Sequence, residues 1–454
     1  MSLPHRHSAA PRCATPERYD GVMKLGAVAG IRRDGTNGQP AGQGGRRQRH
    51  PQMLGWRSRM RCTRCTDLRS TDRKDRNVPS PVSIVPTTRI VVLGGGTGSH
   101  TALSGLRSRE VDLTAVVSVM DSGGSSGRLR DEYGFLPPGD ARQCLVALAN
   151  DDESVAMLRA LFTYRFRSLQ GERGGDEAGG LDGHNLGNLF ISALTDITGS
   201  VEGAYSWAGR LLGAQGRVIP VTTSNVHLCA RLVDGYVLRS EAEIDVRTEH
   251  LDAEIDYVYL DHPAYPTPSA LTALSTADLV VIGPGDLYTS IVPNLLVDGI
   301  ADAVAQARHR LFVVNLMTKP GESDGYRAST FVERLLDYLP PASIDAVLVN
   351  TASAPPRVLK RYAAEGAHPV EADIEAIHAM GIEVVVGPLA SSRHFMRHDP
   401  TALADVIMAW LDVRSVSSAA TSQTTMGIAR AIQMAGPATA TGCVALDPVI
   451  KPWG

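Results

Sequence analysis

The chain has 454 residues, of which 43% are hydrophobic and 20% are charged, an ordinary balance for a soluble globular protein. The net charge of -3 conceals an uneven distribution: residues 1–80 hold 17 Lys/Arg against 6 Asp/Glu, and the remainder holds 28 against 42. This acidity argues against nucleic acid as the partner of the main part of the chain, because phosphate backbones select clustered basic side chains. The six cysteines are scattered and suggest no disulfide framework, so we expect a reducing compartment.

Residues 1–85 are rich in Arg, Gly, Gln, Ser and Pro and lack any helical or strand periodicity, which predicts a disordered basic extension. The alternative is a basic arm that binds nucleic acid or a membrane. Cys62 and Cys65 have the spacing of half a zinc site, but no second pair follows, so we expect no metal there. No apolar stretch is long enough for a signal peptide or a membrane span, so we expect a cytoplasmic protein without membrane contact.

From Arg89 onward, short β-branched runs alternate with helical segments, which predicts a parallel sheet with crossover helices. Several of the runs are almost entirely apolar, as expected for strands covered on both faces. The predicted fold class is therefore α/β, with a Rossmann-like, mainly parallel sheet and helices on both of its faces. The predicted strands are Arg89–Leu93, Leu113–Val119, Val218–Thr222, Ala277–Ile282, Arg310–Leu316, Ile344–Asn350 and Ile382–Val386.

A small antiparallel insertion interrupts this alternation. Two strand-like runs, Cys229–Val233 and Tyr236–Ser240, flank the Asp234-Gly235 turn signal, and Glu254–Leu260 could add a third strand. After Leu411 the composition becomes rich in Ser, Ala, Thr and Gly. We therefore predict one nucleotide-binding domain over residues 86–415 and a disordered tail over residues 416–454.

The first predicted strand runs directly into a glycine-rich loop, with a helix following from His100. Such glycines allow a sharp turn and bring backbone N–H groups against an anion at a helix N-terminus. The sequence excludes an ordinary P-loop, because no Gly-Lys-Ser/Thr follows, and it fits a dinucleotide fingerprint only in part, because Ser99 replaces the third glycine. The candidate ligand-binding residues of this loop are Gly94, Gly95, Gly96, Thr97 and Gly98.

A second loop with phosphate-binding chemistry follows the second predicted strand. Its glycines and hydroxyls suit a backbone nest for phosphate, and an arginine offers planar bidentate contacts. Both loops follow the carboxyl ends of parallel strands, where open α/β sheets bind their ligands. The candidates here are Asp121, Ser122, Gly123, Gly124, Ser125, Ser126 and Arg128.

Two helix starts add further candidates. We expect Asp140 to cap a helix over Ala141–Leu148. Arg142 lies in the first turn of this helix, where the helix dipole disfavours a cation, so a nearby bound anion would explain its presence. His184, Asn185 and Asn188 precede a predicted helix over Leu189–Leu194 and could contribute ligand contacts.

Two later strand ends repeat the pattern of glycines, carboxylates and hydroxyls. Four strand ends of this kind favour one coherent cleft over four unrelated turns. The candidates in these segments are Gly283, Gly285, Asp286, Tyr288, Asn315 and Lys319.

The ordered set of motifs resembles the YvcK/CofD family over roughly Arg89 to Leu411. The segments that carry the resemblance are GGGTGSHTALSGL, MDSGGSSGRLRDEYGFLPPGDARQCLVAL, LFTYRF, GHNLGNLF, GPGDLYTSIVPNLL, NLMTKPGESDGY and RHDP. The GGSSGRLR, LPPGD and GPGDLYTSI segments are most similar to the gluconeogenesis-factor branch. That branch commonly has two acids before GGSSGRLR, whereas Ser122 replaces the second acid here, which weakens the case for a metal at this position.

The resemblance implies a cytoplasmic binder of UDP-sugars, of the UDP-N-acetylglucosamine type, that regulates carbon metabolism and cell shape. The alternative that it implies is a CofD-like 2-phospho-L-lactate transferase, in which Asp121 would contact a deazaflavin acceptor and Mg²⁺ would be required. An NAD(P) oxidoreductase is a third, weaker alternative. No nucleophile, general base or metal cluster is evident from the residues, so a catalytic role would depend on analogy. The oligomeric state, including a homo-oligomer, stays open.

Overall fold

The structure, a computed structural model, describes residues 87–167, 180–391 and 395–415. The predicted disordered segments 1–85 and 416–454, with the Cys62–Cys65 pair, lie outside the described residues. Within the described part, no helix combines the length and the apolar character needed to cross a membrane.

A seven-stranded parallel sheet forms the centre of the fold, as predicted. Its strands in chain order are β1 (Thr88–Gly94), β2 (Val111–Val117), β3 (Arg217–Pro220), β7 (Leu279–Ile282), β8 (Arg310–Val313), β9 (Ala346–Asn350) and β10 (Glu383–Gly387). The spatial order is β10-β9-β8-β7-β1-β2-β3, so β1 lies between β7 and β2. The observed strands begin or end one to three residues away from the predicted ones. The seven strands are recognisable from nearly continuous apolar runs, which reflect burial on both faces in all but the edge strand β10, where Val386 is 48% exposed.

The predicted insertion is a separate three-stranded antiparallel sheet in the order β5-β4-β6. Its strands are β4 (Leu228–Leu232), β5 (Val237–Leu238) and β6 (Ile255–Leu260). Strand β5 was expected to span the five residues Tyr236–Ser240 but has only two, because the chain turns into a short helix at Glu241. A two-stranded pair, β11 (Ala390–Ser391) and β12 (Arg397–His398), was not predicted.

Helices cover both faces of the central sheet, and alternate side chains of each strand enter different cores. In β1, Val91 and Leu93 belong to one buried cluster and Ile90 and Val92 to the other. A further helix covers residues 400–415, and a π-helical turn spans Leu287–Ile291. The remaining helices are α1 (Gly96–Leu106), α2 (Gly124–Tyr133), α3 (Gly139–Leu148), α4 (Glu153–Thr163), α5 (Leu186–Thr198), α6 (Val201–Leu211), α7 (Glu241–Asp245), α8 (Pro268–Ser275), α9 (Val292–Leu295), α10 (Ile300–Gln306), α11 (Ala328–Leu336), α12 (Pro356–Ala364) and α13 (Ile374–Ala379).

Three predicted helix starts differ from the structure. Helix α1 begins at Gly96, four residues before the predicted start at His100. Helix α3 begins at Gly139 with Pro138 at its N-cap, so Asp140 lies inside the first turn and its side chain does not cap this helix. Helix α5 begins three residues earlier than predicted, because Asn185 is its N-cap and accepts a hydrogen bond from the Asn188 backbone N–H.

Candidate functional site

The carboxyl ends of β1, β2 and β7 meet at one edge of the central sheet and surround an acidic cleft. The strands are parallel and adjacent, so the loops that follow them converge. The acidic cleft has a volume of about 340 Å³ and five carboxylates in its wall. Its lining residues are Gly95, Gly96, Thr97, Gly98, Asp121, Asp140, Gln143, Glu241, Asp245, Gly285, Asp286, Thr289 and Ser290.

A smaller side hollow of about 190 Å³ adjoins the acidic cleft. The two share Thr97, Gly98, Gly285 and Asp286 in their walls. The other residues of the side hollow are Thr101, Pro284, Asn315, Leu316, Met317, Tyr362, Met396, Arg397 and His398.

The start of α1 forms the partition between these two spaces and packs tightly against the loop after β7. A Cβ atom on Gly98 would lie 2.0 Å from the carbonyl oxygen of Pro284, so only glycine allows this approach. Gly96 has a φ of +62°, which also favours glycine. The N–H groups of the first helical turn lack acceptors within α1, which makes this turn suited to bind an anion.

Asp140 supplies a hydrogen-bond acceptor for this turn from within the protein. Its Oδ1 accepts a hydrogen bond of 2.8 Å from the Gly96 N–H, so this carboxylate stabilises the N-terminus of α1 instead of capping its own helix. Burial, followed by the neighbouring charge of Asp121, raises the pKa of Asp140 to about 7. Burial likewise raises the pKa of Asp121, although a 2.9 Å hydrogen bond from the Gly123 N–H opposes the shift. The two acids therefore lie close enough to disfavour simultaneous ionisation.

Several predicted ligand residues form a buried polar network behind the cleft instead of lining it. The Ser125 hydroxyl lies 3.2 Å from His184 Nδ1 and accepts a 3.1 Å hydrogen bond from the Asn185 N–H. Asn188 Nδ2 donates to Ser126 Oγ at 3.3 Å, and Asn188 Oδ1 accepts from Arg142 Nε at 2.9 Å. These contacts attach the first turn of α2 to α5 and α3.

Arg128, predicted to bind phosphate, also lies outside both spaces. Its Nη2 donates to the backbone carbonyl of Asp182 at 2.5 Å. Tyr288 is buried, and its hydroxyl lies 3.0 Å from that of Tyr326. Gly94 is the last residue of β1, Gly283 directly follows β7, and Gly123 and Gly124 lie at the start of α2.

Helix α7 of the antiparallel insertion contributes cleft residues that the sequence did not reveal. The Ser122 N–H donates to Glu241 Oε2 at 3.1 Å, and the Ala242 N–H donates to Ser122 Oγ at 2.9 Å. Burial, followed by the charge of Asp121, raises the pKa of Glu241 to about 8. Ser240 and Glu243 have the spacing of a capping box, which could have predicted this short helix but not its place over the cleft.

Lys319 lies among three carboxylates at the rim of the cleft. Its Nζ contacts Asp245, is 2.7 Å from Asp286 and is 3.2 Å from the buried Glu322. Burial alone would lower the pKa of Lys319, but the charges of Glu322, Asp286 and Asp245 together raise it above its ordinary value. Lys319 is thus engaged in ion pairs and joins α7 to the loops after β7 and β8.

The side hollow brings together residues that are far apart in the chain. Arg397 and His398 belong to β12, Tyr362 to α12, and Asn315 follows β8. Asn315 Oδ1 accepts a 3.3 Å hydrogen bond from the Gly285 N–H, and the Tyr362 hydroxyl accepts one of 3.2 Å from the Met396 N–H. The hollow therefore combines an arginine, a tyrosine and the first turn of a helix. Of its distant residues, only Asn315 was among the predicted site residues.

Comparisons with known proteins identify the family of the chain. Residues 90–390 match the family described as "2-phospho-L-lactate transferase CofD". A Thermotoga maritima protein, provisionally described as a gluconeogenesis factor, is 43% identical over 325 residues, which are 70% of this chain and 98% of that protein. The gluconeogenesis factor of Bacillus subtilis is 38% identical over 323 residues, covering 70% of this chain and 97% of its own length.

A solved structure shows the same fold. It is a crystal structure of a UPF0052 family member from Bacillus halodurans, with a TM-score of 0.65 and 35% identity. The match covers 71% of this chain and 99% of that chain. The chain therefore belongs to the CofD family, and the relatives that it covers over nearly their whole length are gluconeogenesis factors.

Proposed function

We propose that the protein is a cytoplasmic UDP-sugar-binding regulator of carbon metabolism and cell shape, with a ligand of the UDP-N-acetylglucosamine type. The observation that carries the proposal is the composition of the side hollow. Arg397 offers planar charge-assisted contacts to a diphosphate, and the N–H groups of Thr97 and Gly98 lie in the first turn of α1. Tyr362 provides an aromatic face for a nucleobase.

The family relationship supports the regulatory part of the proposal. The relatives that match nearly end to end are named gluconeogenesis factors, a name that describes a requirement in carbon metabolism and no reaction. Neither the acidic cleft nor the side hollow presents a cysteine, and their serine and threonine hydroxyls have no histidine partner among the hydrogen bonds of the described residues. A binding role therefore accounts for the arrangement without requiring a nucleophile.

A CofD-like phospholactate transferase is the second candidate, and the family description favours it. Such an enzyme would need Mg²⁺ to neutralise the transferred phosphate. Carboxylates are the ligands that Mg²⁺ prefers, and Asp121 and Asp140 in the acidic cleft are the residues that would hold it. Asp121 would also face the deazaflavin acceptor in this alternative.

A paired measurement on Asp121→Asn separates the two candidates. Product formation is assayed with a deazaflavin acceptor, a nucleoside-diphosphate-activated phospholactate and Mg²⁺, and UDP-N-acetylglucosamine affinity is measured on the same preparations. The regulator account expects no turnover in the wild type and only a modest change in affinity, because the amide keeps an acceptor. Turnover in the wild type that disappears in Asp121→Asn would establish the transferase instead.

A further inference from the structure

The wall of the acidic cleft is unsuited to phosphate and well suited to hydroxyl groups. Its five carboxyl groups, from Asp121, Asp140, Glu241, Asp245 and Asp286, are accompanied by no Lys or Arg among the lining residues, and the Lys319 ammonium at the rim is already paired with Asp245 and Asp286. A phosphate here would meet like charges at short range. Sugar hydroxyls, in contrast, donate hydrogen bonds that carboxyl groups accept.

A buried hydroxyl in the same wall points independently to a missing partner. Thr289 is 5% exposed, and its Oγ1 has no hydrogen-bond partner within the described part of the chain. Thr289 lines the acidic cleft. Buried polar atoms without a partner are uncommon, so a ligand hydroxyl in the cleft would complete this site.

The arrangement of the carboxylates favours a polyol over a metal ion. Within residues 87–167, 180–391 and 395–415, the three-carboxylate group close enough to hold a metal is Asp245, Asp286 and Glu322, whose ligand atoms lie within 4.8 Å of one another. The Lys319 ammonium already lies among these three. The remaining cleft carboxyl groups, from Asp121, Asp140 and Glu241, are not part of this group.

We propose that the acidic cleft binds the sugar of the nucleotide-sugar ligand and that Glu241 of α7 is a residue that selects this sugar. The proposal rests on the proposed function, in which the diphosphate occupies the side hollow. The hydrogen bond from the Ser122 N–H to Oε2 holds the Glu241 side chain at the cleft. Since α7 belongs to the antiparallel insertion, the insertion supplies sugar selectivity to a nucleotide site that the parallel sheet builds.

The test is calorimetric titration of the full chain with UDP, UDP-glucose and UDP-N-acetylglucosamine. In the wild type, we expect UDP-N-acetylglucosamine to bind more tightly than UDP. Glu241→Ala should weaken UDP-N-acetylglucosamine binding about tenfold, the effect of one lost hydrogen bond, and leave UDP affinity unchanged. Glu241→Gln should lose less, because an amide still accepts from the Ser122 N–H and offers a donor and an acceptor. Glu249→Ala, an exposed change in the same insertion, is the matched control and should change neither affinity.

Each contrary outcome has a distinct meaning. Equal weakening of UDP and UDP-sugar binding by Glu241→Ala would overturn the sugar site and leave Glu241 as a support for the Ser122 loop. Equal affinity of the wild type for UDP and both UDP-sugars would also overturn it while preserving nucleotide binding. Weakening of UDP-N-acetylglucosamine binding by Glu241→Ala that occurs with Mg²⁺ and is absent with EDTA would indicate that the cleft binds a cation and not the sugar. Absence of binding by all three nucleotides would refute the proposed function together with this inference.

Discussion

Replacement of Gly98 by alanine tests whether the contact between α1 and the loop after β7 is as close as the structure has it. The added Cβ would lie 2.0 Å from the Pro284 carbonyl oxygen and 2.9 Å from the Gly285 nitrogen. Both atoms belong to backbone, so a rotamer change cannot relieve the overlap. Overpacking of this kind costs about 1–3 kcal/mol of unfolding free energy, and the rigid backbone places Gly98→Ala in the upper part of that range.

Urea-induced unfolding followed by circular dichroism measures this effect. Gly209→Ala in α6 is the matched control, since its Cβ would meet only side-chain atoms at 3.5 and 3.7 Å, which are ordinary contacts. The control should be neutral or more stable by up to about 1 kcal/mol, because alanine favours a helix over glycine. Equal unfolding free energies for the two variants would show that the approach of α1 to the loop is looser than described.

Two further changes probe the charged groups of the site. The folded chain keeps a proton on Asp140 up to about pH 7, whereas the unfolded chain loses it near the ordinary aspartate pKa of 3.8. The unfolding free energy of the wild type should therefore fall as the pH rises between these two values. The Asp140→Asn variant cannot ionise at this position, so its unfolding free energy relative to wild type should grow between pH 5 and pH 8. If urea titrations show the same difference in unfolding free energy between variant and wild type at every pH, the buried carboxyl group with a raised pKa is contradicted. Lys319→Met leaves Asp245, Asp286 and the buried Glu322 without their cation and should lower the unfolding free energy at pH 7 by about 3 kcal/mol. A loss below about 0.5 kcal/mol in Lys319→Met would mean that the cluster is solvated.

The central sheet could be predicted from the sequence because its signal is local. The central strands are covered on both faces, so the apolar run that ends at Leu93 or at Ile282 is visible without knowledge of its neighbours. The glycine-rich turns can be recognised in the same way, because their signal is also local composition. Parallel pairing then brings the ends of these strands together without further information.

The chemistry of the side chains at these strand ends was less predictable. The residue types of Ser125, Ser126 and Asn188 are typical of ligand-binding residues. In the fold these side chains are buried and hydrogen-bond within the protein, where Ser125 accepts from the Asn185 N–H and Ser126 accepts from Asn188 Nδ2. Asp140 has the position of a helix cap, yet its carboxylate reaches the N-terminus of α1, which is 44 residues earlier in the chain. Such contacts depend on how α1, α2, α3 and α5 pack, and no local pattern encodes that.

The residues that the sequence missed come from segments distant from the glycine-rich loops. Glu241 belongs to the insertion, and Arg397 lies in β12 close to the end of the described chain, 300 residues after Thr97. The RHDP segment was part of the family resemblance, but nothing in its composition shows that it faces α1. A single sequence reveals which segments are unusual, whereas their meeting in space requires the fold.

Calorimetry with UDP-N-acetylglucosamine, GDP and NAD on the wild type and on Arg397→Ala tests the central claim most directly. The nucleotide-sugar account predicts that UDP-N-acetylglucosamine binds more tightly than GDP or NAD. Arg397→Ala should weaken that binding by about 1.5–3 kcal/mol, the scale of a hydrogen bond to a charged group, whereas Arg231→Ala on the exposed side of β4 should leave it unchanged. Tighter binding of NAD, or an unchanged affinity for UDP-N-acetylglucosamine in Arg397→Ala, would contradict the account.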